Sequence, residues 1–297
     1  MPVAPKEYIK IRASEILGQH ELIELLNARF PELATRVGDL GFPGTGVIEA
    51  RVPLDSPKLQ EIRDLIAAKR KQGVPEYAVL AIGEYVRSYT VAELRNAEAL
   101  LLKIAAYCEH AGEQCGTVYE TLCPHCNLGR QMSDLILNPR RMPKRKDIAE
   151  TIAWVEWVVS SRFVHAFTEN HLSGAEFRPI VDFKKAAMHS QEWHQLQVFG
   201  KAGAIAEKTV IGKDPFSPSE VSWRCPMGHS VVAQCLSEVY LNRDAWDGSD
   251  IAVTSSLFGQ GRGFLRPFPL IVISQRMYRL LQEEGLKGYT VRIAHMI

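Results

Sequence analysis

Two cysteine turns, far apart in the chain, constrain this sequence more than any other feature. Cys123-Pro124-His125-Cys126 is a CxxC knuckle, and Cys225-Pro226-Met227-Gly228-His229 repeats its Cys-Pro opening with a histidine as the second donor. A short turn of this kind lets two side chains face one ion while its backbone NH groups point at the sulfurs. Zinc in a closed site takes four N or S ligands in a tetrahedron, so each knuckle is half a site. The expectation is one structural Zn2+ held by Cys123, Cys126, Cys225 and His229. Only the knuckles need to meet, so residues 127–224 can build other structure, as in a zinc ribbon with a long insertion.

Other readings of the six cysteines stand beside this one. Buried thiols without metal are common in protein cores. A redox CxxC sits at a helix N-terminus after a strand, whereas Asn127-Leu128-Gly129 reads as a turn. A local set of Cys108, Cys115, Cys123 and Cys126 is a third arrangement. Cys235 falls in the apolar run Val231–Leu236 and reads as core. The opening Met1-Pro2-Val3-Ala4-Pro5-Lys6-Glu7 has no apolar signal stretch, and close cysteine pairs in a large leaderless chain point to metal rather than disulfides. A reducing, cytoplasmic setting is expected. The longest apolar runs, such as Ala78–Ile82 and Leu270–Ile273, fall far below the roughly 18–20 residues that span a bilayer, so no membrane partner is expected. A net charge of +1, from 35 basic and 34 acidic residues, provides no global field toward nucleic acid.

Helix signals come from caps. Ser56-Pro57 opens a segment with Leu59, Ile62, Leu65 and Ile66 on one face, closed by Gly73. Thr90 with Glu93 makes a capping box ahead of Leu94, Ala97, Leu101 and Ile104. Asp147 with Glu150 predicts a long helix through Ile148, Ile152, Val155 and Val159, running on past Phe163 and Phe167 to Gly174. Ser274 opens another, through Met277, Leu280 and Leu281, stopped by Gly285. Strands are expected at Val47–Val52, Ala78–Ile82, Phe177–Val181, Gln195–Phe199, Leu270–Ile273 and Tyr289–Ile293. Without a strict alternation, the fold class is α+β, a mixed sheet with helices, the zinc-ribbon-like site joining the distant knuckles. No internal repeat, heptad array or low-complexity tract is visible. The Pro-rich, basic stretch Asn138–Lys146 reads as a connector. The domain expectation is an N-terminal α/β region, 1–115, co-folded with a knuckle-bearing α+β region, 116–297.

Several other clusters read as ordinary structure. His165, Asn170 and His171 fall in one helix or its cap and lack the ββα setting of an HNH nuclease. His189 and His194 do not have HExxH spacing, and their segment reads as a turn leading into a strand. Arg140, Arg141, Lys144, Arg145 and Lys146 could grip phosphates but have no interleaved aromatics. Gly259-Gln260-Gly261-Arg262-Gly263 lacks the GK[ST] ending of a phosphate loop. No catalytic residues are assigned.

Around these knuckles the chain resembles a bacterial family named for a double CxxCG motif. The likeness takes in the Asp147-Ile148-Ala149 start, Val159-Ser160-Ser161-Arg162 and Leu172-Ser173-Gly174-Ala175-Glu176-Phe177-Arg178-Pro179. It continues through Trp246-Asp247-Gly248-Ser249-Asp250, Gly263-Phe264-Leu265-Arg266-Pro267 and Ser274-Gln275-Arg276, covering roughly Tyr89 to the end. Two positions depart from it: Asn127 stands where the motif has Gly, and Gly228-His229 replaces Cys-Gly, with His229 the natural substitute ligand. Some myxobacterial members of the family are described as immunity proteins of swarming-inhibition toxins. The resemblance, with no convincing catalytic set beside it, implies a non-enzymatic protein that binds a cognate toxin; Trp246, Arg262 and Arg266 are candidate contacts because Gly-rich turns tend to expose such side chains. The competing expectation is a zinc-ribbon nucleic-acid-binding or regulatory protein, resting on the basic run.

Overall fold

The computed structural model describes residues 7–15, 28–31, 34–38, 46–71, 79–108, 111–151, 156–185, 188–212, 225–229, 231–232, 234–258 and 266–297. The fold is α+β and mostly sheet, with both parallel and antiparallel pairs. No helix among the described residues is long and apolar enough to cross a membrane. The chain divides into two compact units, Met1–Tyr89 with Val210–Ser222 and Gln234–Glu238, and Thr90–Thr209 with Trp223–Ala233 and Val239–Ile297.

The first unit holds a four-stranded antiparallel sheet, ordered Ala34–Gly38, Gly46–Pro53, Glu7–Glu15, Val79–Arg87. Its helix Lys58–Lys71 begins where Ser56-Pro57 places it, with the Lys58 NH donating to Ser56 Oγ at 3.3 Å. Leu59 and Ile62 on that helix are buried, as the apolar spacing requires. Gly73, its expected stop, lies outside the described residues.

The second unit contains two sheets that repeat one plan. One runs Tyr107–Cys108, Ile148–Thr151, Trp157–Ser160, His189–Val198, Ala175–Asp182, Ile136–Leu137. The other runs Lys201–Gly203, Ile251–Phe258, Phe268–Ser274, Ala99–Ile104, Tyr289–Met296, Val239–Leu241, with Val231–Val232 also paired to Ile251–Phe258. In both, the two outermost pairs are parallel and the inner three antiparallel. In both, the third strand leads directly into a capped helix. Ser160 accepts from the Phe163 NH at the start of Ser161–Glu169, and Ser274 accepts from the Met277 NH at the start of Gln275–Glu283. The same serines donate to Asp147 (3.0 Å) and Asp250 (2.7 Å).

Smaller details match as well. Thr117 Oγ1 accepts the Ile136 NH at 2.8 Å, and Thr209 Oγ1 the Tyr240 NH at 2.9 Å. Short 3-10 turns follow Asn138 and Asn242. The second unit therefore repeats one plan twice, a structural repeat where none was expected from the sequence. The two copies agree in caps, turns and strand direction, while core positions interchange among apolar types. Differing insertions also change the spacing between equivalent residues, so no fixed period is present.

Two expected helices are corrected too. The Thr90–Glu93 capping box forms, with the Thr90 NH donating to Glu93 at 2.7 Å and the Glu93 NH to Thr90 at 3.1 Å. Its helix, however, ends at Asn96, and Leu101 and Ile104 belong to strand Ala99–Ile104. That strand has neighbours on both sides and is buried apart from Lys103; a central strand buried on both faces reads as a continuous apolar run that periodicity alone does not distinguish from a buried helix. Asp147 likewise caps no helix. Ile148–Thr151 and Trp157–Ser160 form an antiparallel pair, and the helix starts only at Ser161. Ile152 and Val155 lie outside the described residues. The segment from His189, expected as a turn, is already strand.

The main core of this unit joins the two copies. Leu100, Leu102, Ile148, Val159, Phe163 and Phe167 pack with Ile251, Ile271, Ile273, Met277 and Leu281. Phe167 and Phe177 meet edge to face at 5.1 Å, the preferred geometry for such rings.

Candidate metal centre

The first knuckle is the tip of a β-hairpin, Tyr119–Cys123 paired with Leu128–Gln131, with a register shift just before Cys123. Asn127 closes the turn at φ 57, in the left-handed region. Glycine enters that region freely, and asparagine is among the few other residues that do so readily. Asn127 therefore takes a turn conformation that glycine would also adopt. In the second knuckle the left-handed residue is Gly228, at φ 82, one step nearer its leading cysteine. The Gly228 NH donates to the Cys225 carbonyl at 2.9 Å, and the Met227 NH to Cys225 Sγ at 3.4 Å. The turn residue takes the place of the second cysteine, and the longer His229 side chain, one position later, supplies the donor.

These turns bring the four expected ligands together. The donor atoms of Cys123, Cys126, Cys225 and His229 all lie within 4.8 Å of one another. Cys123 Sγ is 3.4 Å from Cys225 Sγ, and Cys126 Sγ is 3.5 Å from His229 Nδ1. Bond lengths of about 2.3 Å to sulfur and about 2.0–2.1 Å to nitrogen imply tetrahedral edges of about 3.5–3.8 Å. The three sulfurs are buried and His229 is half-buried, with Leu128 packed against the group. This arrangement could hold a metal ion.

The thiols are electrostatically unequal. Burial works against a thiolate at Cys123, but NH groups of Cys126 and His125 and the Cys225 thiol bring its pKa down to about 6. Burial pushes Cys126 up to about 11, with the neighbouring Cys123 charge adding to the effect. One thiolate forms readily, and its charge raises the cost of the next. A bound cation removes that conflict, because metal binding displaces protons from its ligands.

The supports of the first hairpin include a residue that sequence reading missed. Glu156 is buried and accepts from the Gly112 NH at 3.0 Å, and from the hydroxyls of Tyr119 and Thr151. Its only signal in the sequence was a lone acid inside an apolar stretch. Arg266 lies 5.7 Å from the Tyr119 ring centre, and a Cβ on Gly129 would overlap its guanidinium. Burial lowers the Arg266 pKa against the opposing charges of Glu113 and Glu156.

Of the other candidate contacts, Trp246 is half-buried beside the 3-10 turn Arg243–Ala245, with its NH donating to the Arg243 carbonyl at 3.1 Å. Its indole nitrogen is buried with no hydrogen-bond partner among the described residues. Arg262 lies outside the described residues. Cys108 and Cys115 are buried and do not join the donor group, so the local four-cysteine set is not formed; Cys235 is half-buried. Arg140, Arg141, Lys144, Arg145 and Lys146 are exposed. His165 stands on the helix surface near Glu169, while His194 Nε2 is 3.2 Å from Ser161 Oγ on another element.

The turn geometry makes a quantitative prediction. A Cβ at Gly228 meets nothing within 4 Å, so the cost of Gly228→Ala is conformational alone, about 1–2 kcal/mol. Asn127→Gly is expected to change stability by less than about 0.5 kcal/mol, because Asn127 already adopts the glycine conformation. Denaturant unfolding of both variants checks this; an equal loss in each would show that backbone handedness does not govern the knuckles.

Among the described residues, these elements define an α+β protein whose second unit repeats one plan and carries a Cys3His donor group. No family model matches the chain, and no curated protein matches it.

Proposed function

We propose that the ion is zinc in a structural role, and that the protein neutralises a cognate toxin by binding it without chemistry. The observation that carries the metal reading is the donor set, three cysteines and a histidine from the protein. Soft thiolates with imidazole suit zinc. Four protein ligands fill its tetrahedron, whereas a catalytic zinc keeps a position open for water or substrate. The toxin-binding reading is supported by the resemblance at the knuckles and the segments around them. Occlusion needs a rigid surface with a few anchors, and an interface able to do it typically buries about 1,600 Å². Arg266, Arg262 and Trp246 are the proposed anchors, in a cytoplasmic complex with the toxin.

The test is a titration of purified protein against the toxin encoded beside its gene. Toxicity should vanish near a one-to-one ratio. Protection at strongly substoichiometric amounts would mean turnover and would sink the occlusion reading. The exposed basic run favours one rival, a nucleic-acid-binding role. Retention on heparin with steep salt dependence and no effect on toxicity would establish that alternative.

A further inference from the structure

We infer that the metal centre is a clasp between the two halves of the duplicated second unit, with each half supplying one knuckle to a single shared ion. This rests on the metal reading above. The halves run from Ala99 to Asp182 and from His189 to Met296, following the strands they repeat, apart from Val210–Ser222 and Gln234–Glu238, which belong to the first unit.

Their contacts are reciprocal in the way of a two-fold dimer, where residue i of one copy meets j of the other and j meets i. The Ile251 NH donates to the Ser173 carbonyl and the Ile148 NH to the Lys287 carbonyl, each at 3.1 Å. The Ser173 NH donates to Asp250 at 3.1 Å, and the Lys287 NH to Asp147 at 2.9 Å. Each half also lends its first strand to the other. Ala99–Ile104 lies between Phe268–Ser274 and Tyr289–Met296, while His189–Val198 lies between Trp157–Ser160 and Ala175–Asp182.

The knuckles obey the same relation. Along the chain, the first knuckle falls between strands Tyr107–Cys108 and Ile148–Thr151, and the second between their counterparts Lys201–Gly203 and Ile251–Phe258. Each knuckle thus occupies the same place in its own half. Neither has more than two of the four donors, so neither alone completes a tetrahedron. An ion bound by all four joins the halves at a point that the exchanged strands do not reach in sequence.

The test uses the full chain with a specific protease site inserted after Lys185, next to the exposed residues Phe183, Lys184 and Lys185. After cleavage, native mass spectrometry should find one particle containing both fragments and one zinc. Mixing with isotope-labelled cleaved protein should show fragment exchange at least about tenfold faster once a chelator removes the zinc, since a ligand bound only by the joined state stabilises that state. Zinc retained by one separated fragment, or exchange at the same rate with and without bound zinc, overturns the clasp. Absence of zinc from the intact, uncleaved chain instead overturns the metal reading and the clasp with it. Should cleavage unfold the protein, hydrogen exchange on the uncleaved parent chain during gradual chelation decides. The clasp requires protection in the hairpin Tyr119–Gln131 and at Cys225–His229 to be lost together, ahead of the strands Ala99–Ile104 and His189–Val198, and loss at one knuckle alone refutes it.

Discussion

Cys123→Ser and Cys225→Ser should each abolish zinc binding and leave the protein insoluble or readily digested by protease. A structural zinc contributes on the order of 10 kcal/mol to folding, comparable with the entire net stability of a typical domain, about 5–15 kcal/mol. The loss should be equally severe from either knuckle, since both hold the same ion. The double variant should be no worse than either single one, because residues acting on one shared ligand are not additive. Ser replacements of Cys108, Cys115 or Cys235 should keep one zinc per chain, as none belongs to the donor group. Elemental analysis and thermal melts read both outcomes. Metal-free protein whose Cys123 and Cys225 variants melt like the parent would remove the centre from the account. Loss of zinc in the Cys115 variant alone would relocate it.

The second large effect lies at two glycines. Gly174 and Gly288 have φ of 98° and 114°, conformations that side chains rarely adopt. A Cβ on Gly174 would overlap the Ile251 carbonyl oxygen, and one on Gly288 would overlap the Ile148 carbonyl oxygen. These are backbone atoms at the starts of Ile251–Phe258 and Ile148–Thr151, so no side-chain rotation relieves the clash. Gly174→Ala and Gly288→Ala are each expected to cost about 3–5 kcal/mol. The left-handed conformation accounts for about 1–2 of that, and parting the adjoining backbone hydrogen bonds for most of the rest. The comparison is the sharper measurement. Equivalent places in the two halves should lose similar stability in denaturant unfolding, while Gly248→Ala, at φ 80 with nothing within 4 Å, should lose only the conformational part. A loss at Gly174 or Gly288 no larger than at Gly248 would mean that the close approach of the halves is not tight.

The site was legible in the sequence because metal ligation depends on a few donors at short, stereotyped spacing. Cys123-Pro124-His125-Cys126 and Cys225-Pro226-Met227-Gly228-His229 each specify a turn with two inward donors, and four donors are what zinc completes. Local chemistry also located Ser56, Thr90 and Ser274 as helix starts, and strands such as Leu270–Ile273, because a cap or an apolar alternation acts over a few residues. The errors arose where local signals were ambiguous. Ala99–Ile104 follows a genuine capping box, and its run of leucines fits a helix as well as a doubly buried strand; its neighbours in the sheet decide. Asp147 resembles a helix cap, but its carboxylate accepts from Ser160 and the Lys287 NH, the second far away in sequence.

By itself, then, the sequence determined the four donors and the helix starts at Ser56, Thr90 and Ser274, all properties set within a few residues of backbone. Tertiary structure alone decided that the halves are copies and that they exchange their first strands, and it brings together the two knuckles that the donor count had paired. Those relations consist of hydrogen bonds and packing between residues from tens to well over a hundred positions apart. The energy that selects them comes from burying both halves in one shared core, and no local pattern encodes which distant partner completes it.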